Sequence, residues 1–329
     1  MKCLILAAGY ATRLYPLTEN FPKPLLEVAG KTITDWLVDD IASTGAVDGF
    51  AVVTNSRFAP FFHEWASRRL MDSLERLDAG AAGSDGVEPA AEPAATSATA
   101  AVSTAAGRAS AAEPAADRAV ARAATSATAA EDTVRGPQSH IVLPDAAKGL
   151  AALSSGIAVI DDGTSTNETR LGAVRDIALA IDTLGWDDDI LVVAGDNVLD
   201  FSLSSFIEYS LDKGTTCIMR YPEPDPARLR KSGILEIGEG DLVVGMEEKP
   251  AEPKSNWCCP PFYIYSKADA AKVSLALAEG CGADAPGSFI AWLCSRSPVH
   301  AMLMPGSRYD IGDLESYKSV CRTYRGVTR

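Results

Sequence analysis

The side chains able to do chemistry in this sequence are few, and most follow short apolar runs. Ala7-Ala8-Gly9 come directly after Leu6, with Arg13 and Lys23 further along the same excursion. Small residues let a backbone approach a ligand closely and offer bare N–H groups to phosphate oxygens. Arg13 and Lys23 would supply positive charge beside them. The loop has neither the Gly-Lys-Ser/Thr of a P-loop nor the GxGxxG of a dinucleotide fold, and a tight turn with two surface cations is the plainer alternative. Gly195-Asp196 ends the run Ile190 to Ala194. Its carboxylate could hold a divalent cation, or it could cap a turn. Glu248-Lys249-Pro250 follows the run Asp241 to Met246. A lysine fixed by a following proline can hold a phosphate and the glutamate can accept from sugar hydroxyls; alone, the trio is an ordinary charged turn. His63, His140 and His300 share no spacing that suggests a triad or a metal site.

Taken together, Leu6 to Val28 closely resembles the signature of sugar-phosphate nucleotidyltransferases, LAAGxGTRLxPLTxxxPKPLLxV, with Ala11 in place of its second glycine. The resemblance implies that the backbone of Leu6, Ala7, Ala8 and Gly9 binds the nucleotide while Arg13 and Lys23 neutralise a triphosphate. The Ala11 methyl would narrow that phosphate pocket. Gly195-Asp196-Asn197 is similar to the family's GDN motif, whose aspartate binds Mg²⁺. Ser307 to Tyr317 looks like its W-x-D-x-G-T-x-x-x-Y segment, which would make Asp310 the second carboxylate ligand and Asp313 a helix cap. Two carboxylates with phosphate oxygens and waters suit octahedral Mg²⁺.

On the sugar side, Glu248-Lys249-Pro250 resembles the family's EKP motif, implying that Lys249 contacts the sugar 1-phosphate and Glu248 the ring. Ser232 to Glu236 resembles YGVVE, which nominates Gly233 for a backbone contact. Arg13, Lys23 and Lys249 are thus the expected catalytic cations. Asn167 to Val174 takes the place of the family's QPxGLAxA, with Asn167 as base reader or helix cap and Gly172 as a nucleotide-side glycine. Pro260-Pro261 stands where the family carries a glycine before a Tyr-x-Tyr strand, so the sugar pocket is expected to have its own shape.

These residues need a scaffold, and the sequence supplies one. Lys2 to Leu6, Phe50 to Thr54 and Ile190 to Ala194 read as buried parallel strands. Thr34 to Ser43, Arg170 to Thr183 and Leu203 to Leu211 read as helices, the first capped by Thr32 or Thr34. Alternation of this kind predicts an α/β fold, a Rossmann-like and mostly parallel central sheet with helices on both faces; the resemblance adds a small β extension for the sugar. Residues 79–137 break the pattern, being mostly Ala, Ser, Thr, Pro, Glu and Gly with a repeated AATSATAA. They predict a disordered insert in a single domain spanning residues 1–329.

The chain has 329 residues, 47% apolar and 22% charged, with 30 basic against 44 acidic side chains and a net charge of −14. That balance disfavours nucleic acid as a partner. The seven cysteines form no CxxC pair and predict reduced thiols. No apolar run is long enough to span a membrane, and the expected location is the cytoplasm. The resemblance implies a Mg²⁺-dependent enzyme that joins an NTP, dTTP or UTP first, to a sugar 1-phosphate, glucose 1-phosphate first, releasing pyrophosphate. Another phosphorylated alcohol such as phosphocholine or an inositol phosphate is an alternative substrate, and a non-catalytic nucleotide-sugar sensor is the alternative from a different class. Homo-oligomerisation stays open.

Overall fold

The computed structural model describes residues 1–82 and 152–328, with side chains from 1–76 and 152–328. Its strands are β1 (Lys2–Leu6), β2 (Glu27–Val28), β3 (Lys31–Thr32), β4 (Gly49–Thr54), β5 (Ile157–Asp161), β6 (Ile190–Ala194) and β7 (Asn197–Leu199). Then follow β8 (Thr216–Pro222), β9 (Gly233–Ile237), β10 (Val243–Glu248), β11 (Trp257–Cys259), β12 (Phe262–Tyr265), β13 (Val299–Leu303) and β14 (Arg308–Asp310). The helices are α1 (Ile33–Ser43), α2 (Ala59–Ala82), α3 (Ala173–Leu184), α4 (Ser204–Lys213), α5 (Pro226–Leu229), α6 (Lys267–Ala270), α7 (Val273–Ala278), α8 (Gly287–Leu293) and α9 (Leu314–Thr323).

Successive side chains of a strand point to opposite faces of its sheet, and β1 uses both. Cys3 and Ile5 join a core with Leu37, Val38 and Ile41 of α1 and Phe62 and Trp65 of α2. Leu4 joins a second core with Val174 and Ile177 of α3 and Phe289 and Ile290 of α8. Helices therefore cover both faces, and a strand buried on both sides must be apolar throughout. Neighbouring strands run β10-β9-β11-β8-β12-β6-β1-β4-β5, with β13 beside β8. β6, β1, β4 and β5 are mutually parallel, while β12, β11, β9 and β10 extend the sheet in antiparallel fashion on the other side.

Strand order locates the crevice. The chain goes outward from β1 through β4 to β5, then returns to β6 on the opposite flank of β1. Ligands of open α/β sheets lie at such a reversal, beyond the carboxyl ends of the strands. Here those ends are Leu6 and Ala194, paired directly with each other.

Element boundaries shift for identifiable reasons. Thr32 caps α1, its hydroxyl accepting from Asp35 N at 3.0 Å while the Asp35 carboxylate accepts from Thr32 N. α3 begins at Ala173 because Gly172 has φ +94°, outside the helical region. α2 continues to Ala82, into the stretch that composition assigns to the insert from residue 79. The remainder of that expected insert lies outside the described residues. All seven cysteines are free, and among the described residues no helix is long and apolar enough to cross a membrane.

Candidate active site

The loop after β1 is pinned from beneath. Ala7 N donates to Val53 O at 2.8 Å, and the Asn55 amide donates to Ala8 O at 2.9 Å. Ala11 then takes a left-handed conformation, φ 47° and ψ 41°, before a 3-10 turn over Thr12–Leu14 that turns Arg13 outward. Prolines on either side of Lys23 set a second 3-10 turn, and the Thr34 hydroxyl of α1 holds it by donating to Pro24 O at 2.8 Å. The result is a buried lysine. Its ammonium donates to Asp196 Oδ2 at 2.6 Å, joining residues 173 apart in sequence.

Asp196 occupies the turn between β6 and β7, where its neighbour Asn197 enters the short β7–β14 ladder directly opposite Asp310. The two carboxylates are thus brought to one end of the sheet. Burial alone would raise the Asp196 carboxyl, but Lys23 and the Arg308 guanidinium outweigh it and hold the group below its ordinary value. It remains ionised and able to bind a cation at neutral pH. Asp310 is exposed, and Asp313 behind it caps α9 by accepting from Ser316 N at 2.8 Å.

Two adjoining cavities carry the site. The smaller, about 230 Å³, is lined by Leu6, Ala7, Gly9, Arg13, Lys23 and Asp196 among others. The larger, about 1200 Å³, includes Arg13, Gly233, Glu248, Lys249, Arg308 and Asp310. Arg13 and Gly312 line both. Gly233 faces Glu248 in the β9–β10 ladder. Burial pushes the Glu248 carboxyl above its ordinary value, with Lys249 opposing and Asp284 reinforcing the shift. Lys249 itself has φ 50°, a costly conformation for a side-chain-bearing residue, and its N–H donates to Ser232 O at 3.0 Å.

Three expected residues stand apart. Ala8 lines neither cavity, and its carbonyl accepts from Asn55. Asn167 lines neither cavity; its Oδ1 accepts from Arg170, and it does not cap α3, whose N-cap is Gly172. Gly172 is required by packing, since a Cβ there would sit 2.5 Å from the Ala283 carbonyl oxygen. That carbonyl and the one of Asp284 accept from the N–H groups of Val174 and Ala173 at the start of α3.

Magnesium was expected on Asp196 and Asp310, and the donor chemistry fits. Both are hard oxygen donors, and the Lys23 ammonium already places positive charge on Asp196 Oδ2. Among the described residues no group of three or more His, Cys, Asp or Glu could hold a metal unaided. Phosphate oxygens and waters would have to complete the shell, which is the usual manner of Mg²⁺ binding.

Arg308 is the residue that motif reading passed over. Its Nη1 donates to Asn197 Oδ1 at 2.9 Å and its guanidinium lies 6.0 Å from the Tyr221 ring centre. The signal was available: strand residues two apart share a face, so a binding Asp310 brings Arg308 with it.

Comparison with known proteins gives a concordant result. A uridylyltransferase for N-acetylmuramate α-1-phosphate from Neisseria meningitidis serogroup B is 39% identical over 74 residues, 22% of this chain and 28% of that protein. A glucose-1-phosphate thymidylyltransferase from Streptomyces griseus is 32% identical over 99 residues, 30% of this chain and 27% of that one. The matched region spans little more than a quarter of either relative. A UDP-glucose pyrophosphorylase solved with UDP-glucose superposes with a TM-score of 0.60 at 17% identity, covering 98% of this chain and 97% of its own, so the fold is shared. The family described as nucleotidyl transferase matches residues 2–112 and 144–326. The chain belongs to that family.

Proposed function

We propose that this protein transfers a nucleotidyl group from an NTP to a sugar 1-phosphate, making a nucleotide-sugar and pyrophosphate with Mg²⁺ as cofactor. The observation carrying this reading is the Lys23–Asp196 pair at 2.6 Å in a cavity that shares Arg13 and Gly312 with the one bearing Glu248, Lys249 and Asp310. One end offers cations and carboxylates to a triphosphate, the other a lysine and a glutamate to a phosphorylated sugar.

The reaction needs little covalent help from the protein. A sugar phosphate has its second pKa near 6, so at neutral pH it is mostly a dianion and needs no general base. Its oxygen forms a bond to the α-phosphorus as the bond to pyrophosphate breaks. The barrier lies in bringing anions together and stabilising the leaving charge. Arg13 and Lys23 would bind the triphosphate, Lys23 exchanging Asp196 for a phosphate oxygen, while Lys249 holds the attacking phosphate and Glu248 orients the ring. Bound to Asp196 and Asp310, Mg²⁺ would supply further charge neutralisation at the transferred phosphate.

dTTP and UTP remain the first choices, supported by the uridylyl and thymidylyl specificities in the names of the two relatives. Glucose 1-phosphate is the first acceptor to test. The experiment is a matrix of the common NTPs and dTTP against several sugar 1-phosphates and phosphocholine, read by pyrophosphate release with and without Mg²⁺. Release with one sugar phosphate and not with phosphocholine supports the proposal; no release from any pair refutes it.

A further inference from the structure

The large cavity holds more cations than the reading above uses. Of the five that line it, Arg228 faces Glu223 at 3.7 Å and Asp225 at 3.8 Å. Arg13, Lys231, Lys249 and Arg308 have no carboxylate within 4.0 Å among the described residues. Arg13 and Lys231 are exposed. Arg308 differs in being half-buried and held in place by neutral groups.

Its setting is built from both halves of the sheet. The β7–β14 register sets Arg308 opposite Leu199 and Asp310 opposite Asn197, so all four share one face of the ladder. Asn197 Oδ1 accepts from Arg308, and the Asn197 amide in turn donates to Ala194 O at 2.9 Å and to Asp196 Oδ1 at 3.2 Å. On the opposite flank stands the Tyr221 ring, at the far end of β8, where cation–π attraction favours a guanidinium. One of its five N–H groups is committed to Asn197 and another lies toward the Tyr221 hydroxyl. The remaining donors border the cavity with no carboxylate within 4.0 Å among the described residues, although the Asp196 carboxylate acts on the guanidinium from farther off.

A half-buried guanidinium with free donors is matched to an anion that accepts two bonds side by side, and a phosphoryl group has that geometry. Position narrows the choice. Arg308 stands between the Asn197–Asp196–Lys23 chain at the nucleotide end and Tyr221, which with Ser232, Gly233 and Lys249 lines the sugar end. We propose that Arg308 binds the phosphoryl group of the sugar 1-phosphate, opposite Lys249, and holds it where it meets the α-phosphate. This inference rests on the proposed function and names a further residue of the same site.

The test separates binding from turnover. Glucose 1-phosphate is titrated calorimetrically into wild type, Arg308→Gln and Arg308→Lys without nucleotide, and KM values for both substrates are measured where turnover occurs. Arg308→Gln is expected to weaken glucose 1-phosphate binding, and raise its KM, by about tenfold or more. The nucleotide KM and the unfolding temperature should stay near wild type. Arg308→Lys keeps the charge without the fork and should fall between the two. Unchanged sugar-phosphate binding in Arg308→Gln overturns the inference, as does a change confined to the nucleotide KM. A lowered unfolding temperature with unchanged KM in both variants would mark Arg308 as a mere brace for Asn197 and also overturn it. Wild type that binds glucose 1-phosphate but releases no pyrophosphate in the matrix refutes the proposed reaction, while the binding comparison still decides the role of Arg308. Wild type that does neither refutes both.

Discussion

Asp310 stands opposite Asn197 in the β7–β14 ladder, one residue from an Asp196 carboxylate that already accepts a buried ammonium. The two acids are unequal as a consequence. Asp310 is exposed and makes no ion pair among the described residues, whereas Asp196 balances Lys23, whose side chain is 8% exposed. Asp310→Asn should therefore lower pyrophosphate release by about a hundredfold or more through loss of a metal ligand and leave the unfolding temperature unchanged. Asp196→Asn should lose activity and stability together, because it strands a buried lysine without a counter-charge. Thermal unfolding beside a turnover assay distinguishes the two; wild-type turnover in Asp310→Asn would remove it from the site.

Glu248 depends on a glycine far from it in sequence. A Cβ at Gly287, the first residue of α8, would fall 2.1 Å from Glu248 Oε1 and 2.2 Å from Met246 Cε. Gly287→Ala must then rotate the carboxylate away from its place beside Lys249. The expected result is a rise of about tenfold or more in KM for the sugar phosphate, with the nucleotide KM unaffected. Equal KM values for both substrates in variant and wild type would show that Glu248 does not touch the sugar.

The parallel half of the fold was legible because a strand buried on both faces has to be apolar, and Lys2–Leu6 and Ile190–Ala194 were read to their end residues. The ionic residues were legible as a motif, yet their convergence depends on a register that no local pattern encodes: nothing within residues 23–196 announces that Lys23 will meet Asp196. Gly287 was missed for that reason, since it acquires meaning only from Met246 and Glu248 on a distant strand, whereas Arg308 was within reach through Asp310, two residues along its own strand. Gly172 illustrates the converse. A glycine expected at the nucleotide by resemblance also has a packing role that no motif announces, since a Cβ there would meet the Ala283 carbonyl.

Ala11 records a local cost. Its φ of 47° places a methyl-bearing residue in the left-handed region, which disfavours L-residues by roughly 1–2 kcal/mol. Glycine relieves this but gives the unfolded chain more freedom, about 0.4–1 kcal/mol in the opposite sense. Ala11→Gly should consequently stabilise the fold by roughly 0.5–1 kcal/mol, measurable by denaturant unfolding. A loss of stability would mean that the Ala11 methyl makes contacts worth more than the backbone strain.

Behind the nucleotide loop lies a pair of buried acids. Asp162 Oδ2 and Asp176 Oδ1 have no hydrogen-bond partner among the described residues, and burial, reinforced by the Asp162 carboxyl, pushes Asp176 up to about 7. A carboxyl raised above its unfolded value of 3.8 is protonated in the fold while the unfolded chain has already lost its proton. The folded state then binds more protons, so this contribution is complete below about pH 4 and declines until the pH passes about 7. Its full extent has an upper bound on the order of 4 kcal/mol. Asp176→Asn mimics the protonated form at every pH. The variant should match wild type at pH 4 and exceed it in unfolding free energy at pH 8, a difference that opens across the interval between. A constant offset over that range would show that Asp176 titrates at its ordinary value.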